Sequence, residues 1–163
     1  MVVAITIAAG SKAPVVAGVS PLAELLSDLH VLAEPDHHPE ARAWTEQCRR
    51  RLGEGLRAEL YRFAPLWARY RLRLLYPLTH ELDRTLADEL DALRSVSDDV
   101  FLPLCANAIL GRSTMFASAA DVLGAPSWVR ECEHRSFNRG DLAHLLTMDP
   151  GRFRDDLLAV LAE

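Results

Sequence analysis

His37 and His38, flanked by Glu34 and Asp36, form the densest set of potential metal ligands in the chain. Neutral imidazole and carboxylate both bind zinc-like ions, but a site needs three or four ligands brought to one point. Adjacent side chains point apart, and no HExxH pattern or second Cys/His pair completes the set; His30, His80, His134 and His144 stand singly. The pair therefore reads as a loop or cap element, and neither a metal nor a cofactor is expected. Cys132-Glu133-His134 places a thiol beside an imidazole, the material of a nucleophile and its base. Helix neighbours one or two apart do not face each other, however, so Cys132 reads as structural. Paired acids, a phosphate loop and a nucleophile elbow are missing from the sequence. A non-enzymatic role is the expectation.

Two further groups share the middle third of the chain. Trp44, Tyr61, Phe63, Trp67, Tyr70 and Tyr76 are aromatics of the kind that fill a core. Of these, Trp44, Phe63, Trp67 and Tyr70 are candidates for the wall of an apolar ligand pocket. The arginines 49–51, 57, 62, 69, 71 and 73 are the basic region. They read either as solvated helix faces paired with Glu46, Glu54 and Glu59 or as a nucleic-acid patch. The net charge of −5 disfavours a domain that grips phosphates by itself.

The elements that must position these groups are mostly helical. Ser20 is an N-cap and Pro21 a first-turn proline. Leu22, Leu25, Leu26, Leu29 and Leu32 then recur every three or four residues, one apolar helix stripe ended by Pro35. Pro39 to Leu52 is a second helix, stopped by Gly53 and Gly55, and helix resumes over Leu56 to Phe63. Leu66 to Leu78 alternates basic with apolar residues and suits a strand or ordered loop. Thr79 caps a helix to Leu93, Ser97 or Asp99 caps Val100 to Leu110, and Pro103 lies near that helix's first turn. Gly111 closes it. Helices are expected over Thr114 to Leu123, Ser127 to His134 and Asp141 to Leu146, with Asn138-Arg139-Gly140 a turn. Asp149-Pro150 opens the last helix, with Phe153, Leu157, Leu158 and Leu161 on one side. Val2 to Ile7 is β-branched and reads as a strand, and Ala13 to Val19 as its companion in a short ribbon.

The expected fold class is thus mainly α, a multi-helix bundle with a short N-terminal β ribbon. At 163 residues and 50 % hydrophobic, one domain with a real core is expected. No apolar run approaches the ~20 residues that span a bilayer, and the start lacks the basic lead of a signal peptide. Three widely spaced cysteines, Cys48, Cys105 and Cys132, imply no disulfide framework. A cytoplasmic location without membrane partners follows.

The stretch SPLAELLSDLHVLAEPDHHPEARAW resembles the N-terminal domain of an actinobacterial family of regulators with a C-terminal ArsR-like winged helix-turn-helix. The pattern is a β-branched start (Val2 to Ile7), Ser20-Pro21-Leu22 with Glu24, a Leu-rich helix, His37-His38-Pro39, then Trp44 on a helix. LRAELYRFAPLWARYRLRLLYPL and THELDRTLADELDALRSV match more loosely. The lead Val15-Val16-Ala17-Gly18-Val19 departs from the charged lead of that family. The resemblance implies a dimerisation or effector-sensing domain over residues 1–163, cut before the winged helix, with DNA reached only through that C-terminal part. A homodimer through Val3, Ile5, Ile7, Leu22, Leu25 and Leu29, and a small apolar effector, are the partners it implies. Two alternatives remain: a stand-alone small-molecule binder or enzyme with its pocket near Trp44, Phe63, Trp67 and Tyr70, and a helical interaction protein ending at Glu163.

Overall fold

Ser20 is extended, and its hydroxyl accepts a hydrogen bond from the Ala23 N–H at 3.1 Å, while Pro21 opens helix α1 (Pro21–Ala33). A second acceptor comes from far along the chain: the Leu22 N–H donates to Glu89 Oε2 at 2.7 Å. Both orphan donors of the first turn are thereby satisfied. The computed structural model in which these contacts occur describes residues 18–68, 72, 84–112 and 115–163. The expected ribbon, Val2 to Ile7 with Ala13 to Val19, lies almost wholly outside the described residues. Among those described there are nine α-helices and no strand.

After α1, single 3-10 turns at Pro35–His37 and Pro39–Ala41 carry the chain into α2 (Arg42–Arg51) and then α3 (Glu54–Arg62). Gly55 does not stop a helix. It lies in the first turn of α3, which Gly53 precedes as N-cap. A 3-10 turn at Ala64–Leu66 follows. Leu72 is fully buried and its N–H donates to the Leu66 carbonyl at 2.7 Å; the rest of the expected strand or loop from Leu66 to Leu78 is described only to residue 68. Helix α4 (Leu86–Arg94) covers the described part of the helix expected to Leu93. Its cap is Thr85, which forms a reciprocal capping box with Asp88; Thr79, the expected cap, lies outside the described residues.

Helix α5 (Asp98–Leu110) is the centre of the molecule. Phe101, Leu102, Cys105, Ala106, Ile109 and Leu110 are all buried, on every side of it, as a core helix requires. Pro103 sits in its second turn rather than its first and removes one helical N–H there. Gly111 ends it at φ 74°, the left-handed conformation that glycine adopts without strain. The expected helix from Thr114 is shorter: Ser118 and Asp121 form a second capping box and α6 is Ala119–Gly124.

Helices α7 (Ser127–Arg135) and α8 (Phe137–Met148) make a tightly packed hairpin. Asn138-Arg139-Gly140 is not a turn but the first turn of α8, capped by Ser136. Gly140 serves packing instead: a Cβ there would come within 3.1 Å of the Glu133 Cα on α7. Arg135 donates to the carbonyl of Leu110, and Arg139 to those of Ala108 and Ile109, so two cations close the C-terminus of α5. Helix α9 (Pro150–Ala162) buries Phe153, Leu157, Leu158 and Leu161 along one face, against α4 and α8. Arg62 ties α3 to this half through Asp141 at 2.7 Å and Asp156 at 3.5 Å. No helix among the described residues is long and apolar enough to cross a membrane.

Candidate functional site

Helix α1 packs closely on α4 and on the Ala64–Leu66 turn, but not on α2 or α3. The wedge left between them is a pocket of about 530 Å³. One wall is the C-terminal half of α1, Leu29, Leu32 and Ala33; Leu52, just past α2, and Ala58, Leu60 and Tyr61 of α3 form the other. Ala64 and Trp67 form the inner end. The helical period explains the walls: Leu29, Leu32 and Ala33 share one face of α1, and Arg57, Leu60 and Tyr61 share one face of α3, with Ala64 in the turn that follows.

Trp67 is 1 % exposed and held from two sides. The buried His30 donates its Nδ1–H to the Trp67 carbonyl at 2.9 Å. Behind it stands a chain of rings: Trp67 to Phe63 at 6.4 Å, Phe63 to Phe153 at 5.7 Å, and Phe153 to Phe101 at 6.1 Å. The pocket floor is thus continuous with the core, which fixes its shape. A shallower hollow adjoins it across Ala33, Tyr61 and Ala64 and reaches Phe137 and Arg139. Asn138 Nδ2 donates to the Tyr61 carbonyl at 2.8 Å and joins α8 to this edge.

The rim is charged. Arg49, Arg57 and Glu54 line it, two cations against one anion. Arg49 spans the mouth and donates from Nη2 to the Leu32 carbonyl at 3.0 Å. Arg57 is exposed and has no ion-pair or hydrogen-bond partner among the described residues, although Glu54 stands three positions before it. Among the described residues the lining offers apolar contact surface, the Tyr61 phenol and the charges of Arg49, Glu54 and Arg57.

The residues expected at a ligand pocket divide. Trp67 lines it. Phe63 lies behind it, fully buried, and supports Trp67. Trp44 is 37 % exposed on α2 and does not line it, and Tyr70 lies outside the described residues. Leu52 is a wall that sequence reasoning did not single out, and Arg49 and Arg57 were read as a basic region rather than as a pocket rim; the signal was the apolar Leu52 between a basic helix end and a glycine. Of the expected dimer face, Leu22 and Leu29 are buried within the chain where α1 packs, Leu25 is half-buried against the same core, and Val3, Ile5 and Ile7 lie outside the described residues.

The histidine pair sits in the 3-10 turns after α1. His37 Nδ1 is 3.3 Å from Glu34 and His38 Nδ1 is 3.5 Å from Glu40; His38 meets His30 edge-on at 5.2 Å. Among the described residues no three ligands converge. Of the arginine pairings expected, Arg62 to Glu59 forms at 3.4 Å, whereas Glu46 and Glu54 have no such partner among the described residues.

The thiols follow their surroundings. Burial pushes Cys132 up to about 11 and raises Cys105 further, which leaves both as inert thiols. His134 is not its base, and it is His144 that contacts the neighbouring Glu133, at 2.7 Å. With dithionitrobenzoate at pH 8, Cys48, the one cysteine with surface access, is expected to react within minutes and the other two only on unfolding. Fast reaction of two or three thiols in the native protein would contradict this packing.

The family model that matches this chain is described as a family of unknown function, DUF5937, and its match covers residues 1–163. No curated protein and no solved structure matches the chain. Because the match spans the whole sequence, the chain belongs to the DUF5937 family.

Proposed function

We propose that the chain is a helical ligand-sensing module that also dimerises, serving a winged-helix transcriptional regulator whose DNA contacts lie in a separate C-terminal part. The observation that carries the sensing role is the pocket of about 530 Å³ at Trp67, lined mainly by apolar side chains. Its size falls in the range of roughly 300–1,000 Å³ usual for small-molecule sites. Among the described residues its lining supplies contact surface and orienting charges but no nucleophile with a base, which favours a sensor over an enzyme. The regulator and the dimer rest on the resemblance of Ser20 to Trp44 to the N-terminal domains of such regulators.

A neutral dye separates the pocket from charge effects. Nile red is expected to bind the native protein with a blue-shifted, brighter emission, and Ala58→Trp to lower that binding by about tenfold, since an indole at this exposed wall position fills the space. Circular dichroism and the thermal midpoint should stay close to those of the parent. Equal dye binding by the variant would remove the pocket from the reading. Light scattering at tens of micromolar tests the other half: a clean monomer ends the dimerisation role.

A further inference from the structure

We infer that the pocket at Trp67 takes an organic monoanion, an apolar alkyl or aryl body carrying a single carboxylate, with the body against Trp67 and the carboxylate at Arg57 and Arg49. The inference deepens the sensing role proposed above and rests on it.

Among the described residues, the inner end of the pocket, Leu29, Leu60, Ala64 and Trp67, offers no charged group and only one polar one, the Trp67 indole N–H. A ligand's charged group left there would lose its water without replacement, which is unfavourable. Among the described residues the charged groups occur only at the rim, so a ligand that fills the site is apolar at one end and charged at the other. The sign of the polar end follows from the rim charges. Arg57 has no partner among the described residues, and Arg49 spends one donor on a carbonyl, keeping its positive charge uncompensated. A guanidinium presents a planar fork that matches a carboxylate in two parallel hydrogen bonds. Glu54, on the same rim, disfavours a second negative charge and leaves room for one. The rim is exposed, so salt screens this contribution and leaves the apolar one.

Two matched pairs test the charge separately from the body: octanoate against octanamide, and 2-naphthoate against 2-naphthamide, titrated by calorimetry at low and at 0.5 M salt. Each carboxylate is expected to bind about fivefold tighter than its amide at low salt, and nearly equally at high salt. Arg57→Gln should remove most of that preference and leave amide binding unchanged. Arg50→Gln deletes the same charge at a position of α2 that does not line the pocket and should change neither. Equal binding of acid and amide, or equal losses in the two arginine variants, overturns the anion assignment while the pocket stands. Failure of all four compounds to bind, with Nile red also excluded, overturns both.

Discussion

Phe153→Ala is expected to lower folding stability by about 3–5 kcal/mol, the usual loss for deleting a fully buried aromatic ring from a core. Phe153 has no exposed surface and contacts Phe63 and Phe101 in edge-to-face pairs at 5.7 and 6.1 Å. It is therefore the point where α9, α5 and the segment after α3 meet. Each pair adds about 0.5–1.5 kcal/mol beyond area burial. Phe153→Leu keeps most of the volume and forfeits the ring geometry, so its loss should be about 1–2 kcal/mol. The measurement is the urea midpoint at constant m, read by circular dichroism. The alanine variant should also bind Nile red more weakly under native conditions, because Phe153 backs Phe63 and Phe63 backs the Trp67 floor. A loss below about 1 kcal/mol for the alanine variant would mean that the ring chain is not a closely packed support.

That chain of rings was only half visible in the sequence. The stripe of Phe153, Leu157, Leu158 and Leu161 could be read directly, because a helical period names a face, and all four residues are buried. Helix α1 was legible for the same reason, with a cap, a first-turn proline and five leucines in agreement. Periodicity does not say which faces converge. Trp44, Phe63 and Trp67 looked equivalent as pocket aromatics, yet one stays half in solvent, one enters the core and one lines the pocket. The same limit applies to the α1 leucines: the apolar stripe was evident, but Leu22 and Leu29 pack within the chain. Local signals also compete. Gly140 in Asn-Arg-Gly reads as a turn glycine, whereas its lack of a Cβ is used for close approach to α7. Thr85 caps α4 with the acid three residues on, a capping-box spacing that the sequence did contain but that reading did not single out. The rim of the pocket was least legible, since nothing in the order Arg49, Leu52, Glu54, Arg57 tells that the helices on either side of Gly53 open against α1.

Asn107→Leu is expected to cost about 2–4 kcal/mol through lost hydrogen bonds rather than lost volume. Asn107 is buried in the last turn of α5, 6 % exposed. Its Oδ1 accepts from the N–H groups of Met115 at 2.8 Å and Phe116 at 3.2 Å, and its Nδ2 donates to the Phe116 carbonyl at 3.2 Å. One amide thus satisfies three backbone groups of the connection that follows Gly111, where no secondary structure could. The consequence reaches Phe116, whose ring then sits edge-on to the buried Trp128 at 5.5 Å. Leucine matches asparagine roughly in size but offers neither acceptor nor donor, so the three groups lose their partners in a place that water reaches poorly. If that is the mechanism, the cost is coupled to the seating of Phe116. Asn107→Leu combined with Phe116→Ala should then cost about 1 kcal/mol less than the sum of the single variants. Strict additivity would instead mean that Phe116 keeps its place without Asn107, and the amide would count only as a local partner for the turn.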